Sequence, residues 1–135
     1  MAEGFLEGVC KRLKILIVDD SRALQKRLAE MLRSVSGLNL IAQVHSVAEA
    51  RRTITTLQPD VVVLDLQLGD GNGIEVLRET KRDYPAIRFI VFTNQCERQY
   101  KQRCTELGAD YFLCKSTDVR SLVTTTKDLA TVLGH

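Results

Sequence analysis

"KILIVDDSRALQK" (Lys14–Lys26) runs from a buried-strand pattern through two acidic residues into a helical pattern. The apolar run Ile15–Val18 is continuous rather than alternating, which is typical of a strand covered on both faces of a parallel sheet. Asp19 and Asp20 follow at once. Two adjacent carboxylates at the end of such a strand cost desolvation and repulsion, which a bound cation would offset. Ser21 then provides an N-cap for the helix.

The same alternation of strand and helix patterns continues along the chain. Short apolar runs predict four more strands, at Leu40–Val44, Val61–Leu64, Ile87–Phe92 and Tyr111–Cys114. Amphipathic stretches predict five helices. The first has Leu24, Leu28, Met31, Leu32 and Val35 on a single face, and the second runs from a Ser46–Glu49 capping box to Gln58-Pro59. The third runs from Gly73 to before Pro85, the fourth from Gln95 to Leu107 with Gly108 after it, and the fifth from Thr117 to Leu133 with Asp118 in its first turn. Five βα units predict an α/β fold with a doubly wound, five-stranded parallel sheet and right-handed crossovers.

The size and composition of the chain indicate one domain. We expect it over residues 13–135, after an N-terminal extension of residues 1–12 that lacks the apolar core of a secretory signal. No apolar run approaches the roughly 20 residues that a membrane span needs. The net charge of +2 is too small to favour nucleic-acid binding. We therefore expect a cytoplasmic protein that binds neither membrane nor nucleic acid directly.

Four cysteines, at positions 10, 96, 104 and 114, include no CxxC pair that would indicate a zinc or thioredoxin-type site. Cys96, Tyr100, Cys104 and Leu107 share one face of the predicted fourth helix. The favoured interpretation is free thiols that act as small core residues. A redox switch is the alternative, and nothing in the spacing favours it.

Polar residues stand at the carboxyl ends of four predicted strands. Asp19 and Asp20 end the first, Asp65 the third, Thr93 the fourth and Lys115 the fifth. Sites in open parallel sheets form at this edge, so we expect these side chains to converge. Clustered carboxylates suit Mg²⁺, and a carboxylate beside Mg²⁺, an ammonium and a hydroxyl is equipped for phosphoryl transfer.

The segments "ILIVDDS", "PDVVVLDLQLGDGNGIEVL", "IVFTN" and "GADYFLCKS" resemble the receiver domain of two-component response regulators. The resemblance covers roughly residues 13–133 and is nearest to receivers that precede helix-turn-helix output domains. It implies a flavodoxin-like (βα)5 sheet with strand order 2-1-3-4-5. It also implies a signalling role rather than an enzyme, with self-phosphorylation and autodephosphorylation.

The resemblance implies a role for each matching residue. Asp65 would accept a phosphoryl group from a histidine kinase or phosphotransfer protein. Mg²⁺, or Mn²⁺ in its place, would be held by Asp19, Asp20, Asp65 and the backbone carbonyl of Gln67, with Asp20 a direct ligand and Asp19 bound through water. Lys115 and Thr93 would contact the phosphoryl group, and the Phe112 rotamer would follow the movement of Thr93.

Three positions depart from the family pattern. Ser116 stands where a proline often follows the lysine, so we expect a trans Lys115–Ser116 peptide bond. Gly69 stands where proline is frequent, and Asn94 replaces a smaller residue and narrows access to the phosphoryl group. We regard Gln67, Asn94 and Gln95 as candidates for residues that set the rate of dephosphorylation.

Other functional classes fit the sequence less well. The turn after the first predicted strand has neither the phosphate loop of a flavodoxin nor the GxGxxG of a dinucleotide-binding protein, and the sequence has no P-loop. An aspartyl phosphatase would need a second Asp where this sequence has Ser21. A pseudo-receiver, a scaffold that binds partners without phosphorylation, is the alternative that remains. Because no output domain follows Leu133, we expect a stand-alone receiver or part of a longer regulator, with an unknown downstream protein. In the family, the face of the fourth helix, fifth strand and fifth helix mediates homodimerisation or docking; here a plain solvated surface is the alternative.

Overall fold

The computed structural model describes residues 12–116 and 119–133. Its main sheet has five parallel strands: β1 (Leu13–Val18), β2 (Leu38–Val44), β3 (Val61–Leu64), β4 (Arg88–Thr93) and β5 (Tyr111–Cys114). The helices are α1 (Arg22–Arg33), α2 (Val47–Leu57), α3 (Gly73–Asp83), α4 (Arg98–Glu106) and α5 (Val119–Leu133). The strand order is 2-1-3-4-5, which confirms the predicted fold and topology. A short antiparallel hairpin, Gln67–Leu68 with Gly71–Asn72, lies between β3 and α3 and was not predicted.

Two separate cores explain why the strand sequences are continuously apolar. Leu16, Val18 and Phe89 belong to the core on the side of α2, α3 and α4. Ile15 and Ile17, which alternate with them, belong to the core on the side of α1 and α5. Both faces of the sheet are therefore buried, as in other parallel sheets.

The strand register brings the ends of the central strands level. Val18 pairs with Leu64, and Leu64 pairs with Val91. The backbone N–H of Asp65 then donates to the carbonyl of Val18 at 3.0 Å. The residues that follow β1 and β3 consequently lie side by side at the carboxyl edge.

The helix starts agree with the predicted caps at two positions. Ser21 Oγ accepts from the N–H of Leu24 at 3.2 Å, and Ser46 Oγ accepts from the N–H of Glu49 at 3.1 Å. The Glu49 carboxylate accepts from the N–H of His45, one residue before the cap. The predicted start of the fifth helix at Thr117, with Asp118 in its first turn, and the predicted extension up to residue 11 lie outside the described residues.

The prediction for the start of α4 is wrong by three residues. The helix begins at Arg98 rather than at Gln95, because the Gln95 N–H donates to Thr93 Oγ1 in a turn before it. Cys96 therefore precedes the helix and does not share its inner face with Cys104. The end is as predicted, with Gly108 at a positive φ of 103°.

The Lys115–Ser116 peptide bond is trans, as are all the peptide bonds in the described ranges. Within those ranges, no helix is both long and apolar enough to cross a bilayer.

Gln25, a buried residue of α1, holds the ends of β1 and β2 together. Its Nε2 lies within hydrogen-bond distance of three backbone carbonyls, those of Ile17 (3.3 Å), Asp19 (3.1 Å) and Val44 (2.8 Å). These carbonyls belong to the end of β1, to the first residue of the acidic pair and to the end of β2. The sequence showed no signal for this role, because a glutamine on an amphipathic helix is normally exposed.

Replacing Gln25 with Leu is expected to lower the free energy of unfolding by about 1–3 kcal/mol, because buried carbonyls lose their donor. Urea unfolding followed by circular dichroism measures this. Lys26→Leu, at the exposed neighbouring position on α1, is the matched control. Equal stability of the two variants would contradict a structural role for the Gln25 amide.

Candidate functional site

An ion-pair cluster occupies the carboxyl edge between β1, β3 and β5. The Lys115 ammonium lies 2.7 Å from Asp19 Oδ2 and 2.9 Å from Asp65 Oδ2. The side chains of Asp19 and Asp65 are almost fully buried, and that of Lys115 is 14% exposed. The other oxygens accept from backbone amides: Asp19 Oδ1 from Ser21 N–H at 2.8 Å, and Asp65 Oδ1 from Gln67 N–H at 3.2 Å. One cation thus joins two carboxylates that would otherwise repel each other.

Asp20 is the exposed member of the acidic group. One carboxylate oxygen from each of Asp19, Asp20 and Asp65 lies within 4.8 Å of the other two. In the part of the chain that the structure describes, no hydrogen bond or ion pair holds the Asp20 carboxylate. Three hard oxygen donors with one side open to solvent fit Mg²⁺, which keeps several of its waters. The one ammonium balances only part of the triple negative charge, so the donor set suits a divalent ion.

The two buried partners have shifted pKa values. Burial raises the pKa of Asp19 above its ordinary value, although hydrogen bonds from Lys115 and from the Ser21 N–H oppose that effect. Burial alone would lower the pKa of Lys115, but the hydrogen bonds and charges of Asp19 and Asp65 outweigh it and raise that pKa. Lys115 therefore stays an ammonium ion throughout the neutral range.

Two residues of the loop that follows Asp65, Asp70 and Asn72, cap helices. Asp70 caps α2, accepting from Val47 N–H at 2.7 Å and from Ala48 N–H at 3.1 Å. These bonds lower the pKa of the exposed Asp70 carboxyl, with the Val47 amide the largest cause. Asn72 caps α3 through Ile74 N–H at 2.8 Å. The sequence analysis predicted neither contact, and the Asp70 cap could not be predicted from local patterns because Asp70 lies 22 or 23 residues from the amides that it accepts from.

Gly73 packs directly against the backbone of Asp65. A Cβ at this position would collide with the Asp65 carbonyl oxygen and lie 3.1 Å from Leu66 Cα. The Gly73 N–H donates to the Leu66 carbonyl at 2.8 Å. Position 73 therefore needs glycine because of this close approach of two backbone segments.

The remaining predicted site residues surround the ion-pair cluster. Thr93 is fully buried at the end of β4, and its Oγ1 accepts from Gln95 N–H at 3.1 Å. Gln95 has a buried Oε1 for which the described residues provide no hydrogen-bond donor. Phe112 is half-buried against the core on the side of α2, α3 and α4 and pairs with Val91 of β4. The side chains of Gln67 and Asn94 are exposed, at the start of the hairpin and after Thr93 respectively.

The interpretation of the cysteines as free thiols is wrong for two of them. Cys96 and Cys114 form a disulfide with a Cα–Cα distance of 5.8 Å. Cys104 is a free, buried thiol, and burial raises its pKa to about 11. Spacing alone could not reveal the pair, because the residues are 18 positions apart and meet only through the β4–β5 register.

A family model for the response regulator receiver domain matches residues 15–127. The chain belongs to this family. The receiver domain is 30% identical over 117 residues to the DNA-binding transcriptional activator DevR/DosR of Mycobacterium tuberculosis, covering 87% of this chain and 54% of that protein. It is 28% identical over 111 residues to response regulator GacA of Pseudomonas syringae, covering 82% of this chain and 52% of that protein. The receiver domain thus spans about half the length of the curated relatives it matches.

Solved structures of other receivers have the same fold. A two-component response regulator of the LuxR family from Aurantimonas matches with a TM-score of 0.82 and 26% identity, over 90% of this chain and 86% of that one. A CheY-like receiver domain protein from Methanospirillum hungatei matches with a TM-score of 0.80 at 21% identity, over 90% and 95% of the two chains. The second likeness supports the fold alone. The relatives and the first structure agree with the resemblance to receivers of helix-turn-helix regulators.

Proposed function

We propose that this receiver accepts a phosphoryl group on Asp65 in a Mg²⁺-dependent reaction and then changes conformation to signal to a partner protein. The observation that carries the proposal is the Lys115 ammonium, 2.9 Å from Asp65 and 2.7 Å from Asp19, beside the exposed Asp20. The donor is a histidine kinase or a phosphotransfer protein, in keeping with the family. The protein acts as a signalling domain that supplies much of its own phosphorylation chemistry.

The reaction uses the Asp65 carboxylate as the nucleophile. A carboxylate oxygen forms a bond to phosphorus while the bond from phosphorus to the donor's imidazole nitrogen breaks, and the departing imidazole takes up a proton. Mg²⁺, held by Asp19, Asp20, Asp65 and the Gln67 carbonyl, supplies positive charge to the phosphoryl oxygens when it is bound. Mn²⁺ can take the same oxygen ligands.

The protein's own residues prepare Asp65 for this role. The Gln67 N–H and the Lys115 ammonium each hold one carboxylate oxygen, so the side chain is oriented before the donor arrives. After transfer, the ammonium is placed to interact with the new phosphoryl oxygens. The Thr93 hydroxyl can donate a hydrogen bond to the phosphoryl group, and the half-buried Phe112 follows the movement of Thr93.

A small acyl phosphate tests the proposal without a kinase. Intact mass is measured after incubation of the wild type and of Asp65→Asn, each with Mg²⁺ and with EDTA. We expect one added phosphoryl group in the wild type with Mg²⁺ and none in the other three samples. No adduct on a folded wild-type protein, with the donor shown to be active on another receiver, would contradict the proposal and favour a phosphorylation-independent scaffold.

In this proposal Gln95 affects the lifetime of the phosphorylated form. Its Oε1 is buried without a donor in the described ranges, so a water that attacks phospho-Asp65 could use it as an acceptor. Gln95→Ala is expected to change the dephosphorylation rate by at least about twofold. This effect is small beside the roughly 10²–10⁴-fold that full acid–base catalysis contributes. The mass assay after removal of the donor measures the rate.

Gln99→Ala, at an exposed position of α4, is the control for Gln95→Ala. Gln67→Ala and Asn94→Ala test the two other candidates in the same way. A lifetime unchanged in the Gln95 variant would remove this residue from the proposed set.

A further inference from the structure

The disulfide joins the two segments that carry Thr93 and Lys115. Cys96 follows Thr93 by three residues, and its Sγ lies 3.4 Å from the Thr93 carbonyl oxygen. Cys114 is the cross-strand neighbour of Thr93 and directly precedes Lys115. The Lys115 N–H donates to the same Thr93 carbonyl at 2.8 Å. The sulfur pair therefore adds a covalent link where the switch hydroxyl and the ammonium are positioned.

Helix α4 has few other attachments near its start. Its N-cap, Glu97, makes no side-chain capping bond, and Cys104 is the helix's only buried residue. By comparison, α1 has a serine cap and four buried residues. The disulfide closes a segment that contains all of α4. The bond between Cys96 and Cys114 thus adds a covalent tie next to the end of α4 that has no side-chain cap.

The two sulfurs are also suited to reversible chemistry. Cys96 and Cys114 are both half-buried, so small thiols and disulfides can reach them, whereas Cys104 is fully buried. Their Cα–Cα distance of 5.8 Å is within the normal range for a disulfide, so the bridge needs no large backbone movement to form.

We propose that Cys96 and Cys114 form a reversible thiol–disulfide site that controls the phosphorylation switch, an inference that rests on the proposed function. A thiolate of one cysteine attacks a low-molecular-weight disulfide, R–S–S–R, and releases one thiol, R–SH. The second cysteine then attacks the mixed disulfide, forms the Sγ–Sγ bond and releases a second R–SH. The two protein thiols lose two electrons and two protons, and the reagent is reduced to two thiols.

Oxidation holds the loop from Thr93 to Glu97 against β5. In the oxidised structure Thr93 Oγ1 is bonded to the Gln95 N–H rather than to Asp65. In the proposed function Thr93 moves inward to contact the phosphoryl group, and the bridge through Cys96 opposes movement of the loop that follows Thr93. The oxidised protein therefore favours the unphosphorylated arrangement, and reduction releases it.

The test compares one protein in two redox states. The variant Cys10→Ser/Cys104→Ala keeps only the proposed pair, and it is prepared with oxidised glutathione or with dithiothreitol, which is then removed. Phosphorylation by a small acyl phosphate with Mg²⁺ is followed by intact mass. We expect the oxidised form to react at least about fivefold more slowly than the reduced form, the lower end of ordinary coupling between two sites.

A second measurement tests the coupling in the opposite direction, from the phosphorylation site to the cysteine pair. In a glutathione redox buffer with Mg²⁺, beryllofluoride, a stable phosphoryl mimic, is expected to shift the equilibrium of the pair toward the dithiol, by a factor equal to the ratio of the mimic's affinities for the reduced and oxidised forms. Alkylation of free thiols followed by mass spectrometry measures the oxidised fraction.

The control is Cys96→Ser/Cys114→Ser in the same background, whose phosphorylation rate should be insensitive to glutathione. If the background substitutions impair folding, the comparison is repeated with the wild type, in which peptide mapping verifies the bond between Cys96 and Cys114. Equal rates for the oxidised and reduced forms, or failure of the pair to oxidise, would overturn the inference while leaving the proposed function intact. No adduct in either form would contradict the proposed function itself.

Discussion

Lys115→Met is expected to lower the free energy of unfolding by roughly 3 kcal/mol in metal-free buffer, at the lower end of the cost of removing one partner from a buried ion pair. The substitution keeps most of the side-chain volume but leaves two almost fully buried carboxylates, Asp19 and Asp65, without their shared cation. The thioether of methionine offers them neither charge nor a hydrogen-bond donor. Equilibrium urea unfolding with EDTA present measures the loss.

The same variant also tests the proposed metal site. Mg²⁺ bound by Asp19, Asp20 and Asp65 would restore positive charge between the carboxylates, so the stability deficit should shrink when the ion is added. Binding to the folded state alone stabilises a protein by mass action. Stability that is the same with Mg²⁺ and with EDTA, in the wild type and in the variant alike, would contradict a divalent-ion site at this cluster.

Lys115→Met should also slow the phosphorylation reaction. Removal of one preorganised positive group from a phosphoryl-transfer site is expected to slow phosphorylation of Asp65 on the order of a hundredfold. Lys101→Met is the matched control, since Lys101 is exposed on α4. It should leave both stability and phosphorylation unchanged. Normal phosphorylation in the Lys115 variant would remove the ammonium from the proposed mechanism.

Gly73→Ala is expected to lower the free energy of unfolding by at least about 2 kcal/mol, within the usual range for overpacking. The added methyl collides with the Asp65 carbonyl oxygen and presses on Leu66 Cα. Alanine is favoured over glycine inside a helix by only about 1 kcal/mol, and Gly73 is the first residue of α3, where that gain is smaller. The steric cost should therefore exceed the gain in helix propensity.

Gly73→Ala should also slow phosphorylation by at least about tenfold, since a displacement of about 1 Å can cost a hundredfold in rate. Backbone movement at Asp65 would shift its carboxylate away from Lys115 and the Gln67 N–H. The matched control is Gly69→Ala in the same loop, where a Cβ has no neighbour within 4 Å. That variant should stay within about 0.5 kcal/mol of the wild type and react normally. Equal behaviour of the two variants would show that the close approach at Gly73 has no role.

The sequence by itself determined the fold class. Each strand is a short apolar run next to an amphipathic helix, and these periodicities depend on neighbouring residues only, so the bounds of β3, β5 and α3 could be predicted closely. The rule that parallel strands present their carboxyl ends at one edge also placed Asp19, Asp65, Thr93 and Lys115 together. The strand order came from the family resemblance, because repeated βα units are compatible with more than one order.

Only the tertiary structure decided which atoms meet at that edge. Lys115 reaches Asp65 across 50 residues, and Asp70 caps a helix that begins 23 residues earlier. The Cys96–Cys114 bond depends likewise on the register of β4 with β5. Local patterns encode periodicity and caps, but contacts between distant segments depend on strand register and on how closely two backbones pack, as at Gly73 and Asp65. No window of neighbouring residues contains that information.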